Sequence, residues 1–339
     1  MGDITDDAAP AAACDAPPPA MTKENNLFML IAVHPDGTVT RPEVPLLPPS
    51  PDSAAVLSRD VPLDASLGTY LRLYLPAAAV PPPSSSPSPP APAAELPVIL
   101  YFHGGGFVLF SAATAFYHAH CEALAAAVPC VVASLEYRLA PERRLPAAYD
   151  DTASAVAWLR SAAAAADPWL AARAVLSRVY LMGSSSGGNM AFFAGLRARA
   201  AADAVRGLIL HQPYLGGVDR TPSEAASGDD AMLPLEASDK LWSLALPAGA
   251  DRDHEFCNPA KAMGPEALAG LPPCLVTGNR GDPLVDRQRE FARWLREQGG
   301  VEVVVKTDHE GGHASELFVP ERAQELFAAV REFLGESSR

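Results

Sequence analysis

From residue 97 the run Pro97-Val98-Ile99-Leu100-Tyr101-Phe102 is apolar throughout, the pattern of a strand covered on both faces rather than one. Beyond it, apolar runs at 130–134, 179–182, 207–211, 273–277 and 301–306 alternate with stretches of helical spacing at 116–127, 146–166, 190–202, 287–298 and 320–334. In the second of these stretches Tyr149, Ala153, Val156 and Ala157 recur on one helical face. Strands and helices in alternation predict an α/β fold, with a mostly parallel sheet between layers of helices.

The flanking segments depart from this rhythm. Two extended runs, 27–33 and 38–41, bracket Pro35-Asp36-Gly37 and predict a hairpin, and further strands are expected at 61–64 and 69–75. Residues 1–25, rich in Ala, Pro and Asp, lack the periodicity needed to pack and read as a loose arm, with one domain over 26–339. The Pro/Ser/Ala tract at 76–94 reads as a loop between strands. Residues 214–259 break the alternation with Gly216-Gly217, several prolines and a helical stretch at 236–246 holding Trp242. That segment is expected to lie over the C-terminal edge of the sheet as a lid or pocket wall.

Composition narrows the class. In 339 residues, 49% are hydrophobic and 19% charged, which suits a globular core. A net charge of -14 argues against a nucleic-acid or anionic-membrane surface, since both would repel it. Cys14, Cys121, Cys130, Cys257 and Cys274 are scattered without a paired spacing, so neither a disulfide framework nor a zinc site is expected. Reduced thiols fit a cytoplasmic protein, with the nucleus open to it. The start, Met1-Gly2-Asp3, is acidic where a secretory signal is basic, and no apolar stretch nears the ~20 residues of a membrane helix.

The chemistry gathers where strand 179–182 meets the next helix, at Gly183-Ser184-Ser185-Ser186-Gly187. Gly-x-Ser-x-Gly between a strand and a helix is a nucleophile elbow: Ser185 sits on a strained turn, and side chains at Gly183 and Gly187 would collide with the neighbouring strand and helix. A serine nucleophile needs a base, and the base an orienting carboxylate, each from a loop after a later strand. Asp282, just past the strand at 273–277, is favoured over Asp286, which falls in the first turn of a helix. His313, after Gly311-Gly312, is favoured over His309 with its acidic neighbours. His103-Gly104-Gly105-Gly106 follows the core strand, so the N–H groups of Gly104, Gly105, Gly106 and Ser186 are the candidate oxyanion hole. His103 is expected to fix the loop rather than act as base. His118, His120, His211 and His254 lack metal-ligand spacing and read as structural. Arg138, in Tyr137-Arg138-Leu139-Ala140-Pro141-Glu142, is a candidate for a tie to a carboxylate.

With these motifs and Asp282-Pro283-Leu284 in this order, the chain resembles, from about residue 26 to 334, the plant carboxylesterases of the hormone-sensitive-lipase group. The resemblance implies an α/β-hydrolase fold with about eight strands, and a cap built from about 26–50 and 214–259. Relatives resembling the gibberellin receptor lack the catalytic histidine, and those resembling hydroxyisoflavanone dehydratases carry threonine at the nucleophile. This chain has His313 and Ser185, and so departs from both. The expected function is hydrolysis of small, short-acyl carboxylic esters through Ser185, His313 and Asp282, without metal or organic cofactor, by a monomer or homodimer. A hormone-binding protein using the same pocket, and a lyase or transferase using the same serine, are the alternatives. Phe107, Leu215, Leu233, Phe256 and Phe318 are candidate pocket walls.

Overall fold

A computed structural model describes residues 22, 25–77, 95–199 and 205–336; the expected arm at 1–25 and the tract at 76–94 lie largely outside them. A two-stranded hairpin, β1 (Ala32–Val33) and β2 (Val39–Thr40), precedes the main sheet. The main sheet has eight strands: β3 (Val56–Asp64), β4 (Thr69–Pro76), β5 (Leu96–Phe102), β6 (Val131–Glu136), β7 (Ala174–Ser184), β8 (Gly207–His211), β9 (Cys274–Asn279) and β10 (Val303–His309). Their order is β10-β9-β8-β7-β5-β6-β4-β3. β4 runs antiparallel to both its neighbours, and the pairs from β6 across to β10 are parallel.

The wholly apolar strands have apolar partners on both sides. Along β5, Val98, Leu100 and Phe102 join one buried cluster while Ile99 and Tyr101 join another, as the period of two requires. The first cluster is closed by α2 (Ala147–Leu159), α5 (Ser186–Ala198) and α9 (Val285–Glu297), through Tyr149, Met190, Phe192 and Phe291. α1 (Ala115–Ala127) and α10 (Pro320–Glu336) close the second through Tyr117, Leu124, Phe327 and Val330. Each such side chain, fully buried, contributes about 1.5–3 kcal/mol, so the sheet is a rigid platform for the loops at its edge.

Two stretches fold differently from the pattern's suggestion. The helix expected over 146–166 stops at Leu159; α3 (Ala162–Ala166) and α4 (Pro168–Arg173) follow as separate turns. Ser161 caps α3 by accepting from the Ala164 N–H, and Asp167 caps α4 with Pro168 in its first turn, signals that the alanine run hides. Residues 27–30, expected to be extended, form a turn. Asn26 is the reason: its Oδ1 accepts from the N–H groups of Phe28 (2.9 Å) and Met29 (3.2 Å).

That turn is tied to the insertion. The Asn26 amide donates to the carbonyls of Ala231 (2.7 Å) and Met232 (2.9 Å). The Lys240 ammonium, on α7 (Leu235–Ala245), donates to the Met29 and Ile31 carbonyls. The insertion also carries the short helix α6 (Pro222–Ala225), and the short helix α8 (Pro259–Ala262) follows at its end. No helix among the described residues is long and apolar enough to cross a membrane.

Candidate active site

The parallel register brings strand ends level: Phe102 pairs with Gly183, Ser184 with His211, and His211 with Thr277. The residues that follow therefore share one edge, the C-terminal edge where open α/β sheets bind ligands. Ser185 sits there at φ 56, ψ -120, a conformation an L-residue holds only under external restraint. The restraint is visible on both sides of its peptide: its N–H donates to the His211 carbonyl (3.0 Å) and its carbonyl accepts from the Tyr214 N–H (2.8 Å). The turn is as tight as the motif demands. A Cβ on Gly183 would lie 2.2 Å from the Gly187 carbonyl, and one on Gly187 would lie 1.9 Å from the Phe102 oxygen.

His313 reaches Ser185 from the loop after β10. Its Nε2 is 2.9 Å from Ser185 Oγ, and its Nδ1 is 3.1 Å from each carboxylate oxygen of Asp282. With an acceptor carboxylate beside it, Nδ1 carries the proton, leaving Nε2 to accept from the serine hydroxyl. Asp282 is held in turn by the Leu284 N–H (2.9 Å) and the Gln288 amide (2.8 Å). Burial alone would depress the His313 pKa; the Asp282 charge and hydrogen bond outweigh it and hold the imidazole above its ordinary value. Asp286 is instead in the first turn of α9, accepting from the Ser223 N–H, and His309 faces Glu325 at 3.6 Å.

The glycine loop divides its donors. Gly104 does not offer its N–H to the site: it donates to Tyr117 Oη at 2.9 Å, inside the fold. Gly105 (φ 118) and Gly106 (φ 61) turn the chain past the serine; a Cβ on Gly105 would lie 2.2 Å from the Leu109 carbonyl. Their N–H groups, with that of Ser186 at the start of α5, are the remaining donors of the expected set. His103 stacks on Tyr137 with ring centroids 4.2 Å apart and its Nδ1 is 2.7 Å from the Gly104 carbonyl. Burial takes its pKa down to about 4, so it is a neutral brace of the loop. Arg138 meets Asp151 at 2.7 Å.

The serine opens into a cavity of about 460 Å³. Phe28, Phe110, Phe116, Leu317 and Phe318 supply its apolar wall, and His313 and Tyr117 are its ionisable groups among the described residues. Of the candidate wall residues only Phe318 is there. Phe107 packs against Tyr149, Tyr214 and Trp242, Phe256 against Tyr149 and Phe193, and Leu215 and Leu233 are buried in the same cluster. Large apolar side chains beside a motif are as useful to the core as to a pocket, and sequence position does not separate them. The missed walls had a faint signal, three aromatics at 110, 116 and 117 just after the glycines.

One buried charge lies behind the site. Glu316, in the 3-10 turn Ser315–Leu317 after His313, has an oxygen 3.1 Å from His211 Nε2, with both side chains buried. The two atoms approach without an aligned hydrogen bond. Burial pushes against the carboxylate, but His211 and His120 together hold its pKa down to about 2. His211 Nδ1 is 2.6 Å from Thr277 Oγ1, His118 contacts Tyr74 and Glu122, and His254 accepts from the Phe256 N–H.

A strained serine on a strand-to-helix turn, at the edge of this sheet, makes the molecule an α/β hydrolase. Comparison with known proteins gives the same class: residues 99–317 match the alpha/beta hydrolase fold family. Among curated proteins, the chain is 40% identical over 333 residues to probable carboxylesterase 8 of Arabidopsis thaliana, covering 94% of this chain and 95% of that one. It is 38% identical over 288 residues to a 3-O-acetylpapaveroxine carboxylesterase of Papaver somniferum, covering 82% and 90%. Among solved structures, an esterase of Pyrobaculum calidifontis aligns with TM-score 0.66 at 26% identity, covering 83% and 85%. EstE1, a thermophilic carboxylesterase from a metagenomic library, aligns with TM-score 0.66 at 26% identity, covering 86% and 91%. The chain belongs to the α/β-hydrolase family, within the plant carboxylesterases of the hormone-sensitive-lipase group. It is an enzyme of the carboxylesterase class.

Proposed function

We propose that this carboxylesterase hydrolyses small uncharged esters of short acyl chains by way of an acyl-enzyme on Ser185. The observation that carries the reading is the row Ser185 Oγ, His313, Asp282, closed at 2.9 and 3.1 Å. Ser185 Oγ attacks the acyl carbon as its proton passes to His313 Nε2, and Asp282 stabilises the imidazolium so formed. The tetrahedral oxygen meets the N–H groups of Gly105, Gly106 and Ser186, each worth about 10²-fold or more in rate. Collapse expels the alcohol, which takes the proton back from His313; a water activated by the same imidazole then releases the acid.

The cavity supports the substrate class. Its lining includes no Lys, Arg, Asp or Glu among the described residues, so a charged group there would lose its hydration without gaining a partner. Its volume of about 460 Å³ suits a compact ester, and the poppy relative is named for an acetyl ester. We place the cap in residues 26–50 and 214–259, tied through Asn26 and Lys240. A hormone-binding role would leave the hydrogen-bonded row without use. Replacing Ser185 with alanine is expected to abolish turnover of p-nitrophenyl butyrate while leaving the fold unchanged; retained turnover would reject the assignment.

A further inference from the structure

Gln212 lies one residue beyond β8, buried, with φ 43. That is a conformation a non-glycine side chain adopts at some cost. Its own N–H donates to the Thr277 carbonyl at 2.8 Å, which fixes it to β9. Its side-chain amide then spans the loop of the catalytic histidine. Nε2 donates to the Gly312 carbonyl (3.1 Å), and Oε1 accepts from the Ala314 N–H (2.8 Å). One amide thus binds the acceptor before His313 and the donor after it, as a residue of a neighbouring parallel strand would in a ladder.

The same strand end also holds the nucleophile, because the carbonyl of His211 accepts from the Ser185 N–H and the N–H of Tyr214 donates to the Ser185 carbonyl. Residues 211–214 therefore grip the serine by backbone and the histidine by the Gln212 side chain. The gripped loop needs it: Ala314 stands at φ 57, ψ 21, and Gly311 at φ 114. Asn279 adds a second donor to the Gly312 carbonyl at 2.8 Å and another to Ser315 Oγ at 2.9 Å. It holds the loop from β9, on the side of Asp282.

We infer that Gln212 is a positioning residue for ester hydrolysis, setting the approach of His313 to Ser185 through its paired hydrogen bonds to the backbone on either side of the histidine. The inference rests on the reading of Ser185 and His313 above. Gln212 touches neither substrate nor reacting atoms; it acts on the distance across which the proton moves, so its removal should lower kcat and leave KM nearly alone.

The test is Gln212→Met, close in size but unable to make either bond, in the full chain. Expected are a fall in kcat of about tenfold to a hundredfold, the scale of an ångström's misplacement, with KM within about twofold. Labelling of Ser185 by an organophosphonate should slow in parallel. The acid limb of the kcat profile should move to lower pH, since a loosened imidazole loses part of the support Asp282 gives its charged form. Should Gln212→Met fail to fold, Gln212→Asn keeps the amide but withdraws it by one methylene, and a smaller shift in the same directions is expected. A folded variant with kcat within twofold and an unmoved acid limb, or one in which KM alone changes, would overturn the inference while the unaltered enzyme still turned over ester. An unaltered protein with no ester turnover would overturn the functional reading as well.

Discussion

Gly187→Ala would insert one methyl group where the elbow has no room. The added carbon would sit 1.9 Å from the Phe102 oxygen, 2.6 Å from its carbonyl carbon and 2.8 Å from the His103 oxygen. All three are backbone atoms of β5 and the loop after it, so no side chain can swing aside. Ordinary contact at 3.4 Å would require the start of α5 to move from β5 by about 1.5 Å. Ser185 and the Ser186 N–H lie at that start, while the Gly105 and Gly106 donors lie on the other side of the gap, so the proposed nucleophile and the proposed oxyanion donors would be separated. A misplacement of ~1 Å already costs about 10²-fold, so kcat should drop by more than that. Overpacking against immovable backbone should cost about 3 kcal/mol, a fall in Tm of roughly 4 °C. The assay is a thermal melt beside p-nitrophenyl butyrate kinetics, with Gly228→Ala as the control, since a Cβ there meets nothing within 4 Å. A Gly187→Ala protein with the parental Tm and kcat within tenfold would refute the steric account of the elbow.

Other perturbations separate charge from shape. In the proposed mechanism turnover requires neutral His313, whose pKa is held above the ordinary histidine value by Asp282; the rate should therefore begin to fall, as pH is lowered, above the range of a free imidazole, which a pH profile of kcat/KM reads directly. Asp282→Asn should cost about 10³–10⁴-fold in kcat and carry that limb to lower pH, because burial then acts on the imidazole unopposed. Glu316→Gln should destabilise the fold, because the buried carboxyl is held below its ordinary pKa by His211 and His120. The parental contribution is complete above pH 4.5 and lost on the way down to 2, so denaturant melts of the two proteins should converge as the pH falls.

Much of this was readable in the chain because burial on two faces leaves a continuous apolar signature, as in 97–102, and because Gly-x-Ser-x-Gly is spaced for one geometry. That Ser185, Asp282 and His313 can meet follows from strand ends lying along one edge. What escaped depends on side chains that bond to distant backbone. Asn26 curls residues 27–30 into a turn through its own amide, and Gln212 clips a loop that lies 100 residues away in sequence; neither leaves a periodicity. Gly104 is spent on Tyr117 because α1 packs beneath the glycine loop, a tertiary fact that the run of glycines does not carry. Phe107 and Phe256 went to the core, Phe28, Phe110 and Phe116 to the cavity, and all five are phenylalanines.

The central claim is that an acyl group passes through Ser185. The direct measurement is intact-protein and peptide mass spectrometry after rapid quench with an activated ester such as p-nitrophenyl butyrate, run alongside the organophosphonate. The account predicts one acyl or phosphonyl adduct per chain, mapped to Ser185, formed in step with the burst of p-nitrophenol and absent from Ser185→Ala. Steady ester turnover with the adduct on another residue, or an adduct that persists in Ser185→Ala, would contradict it.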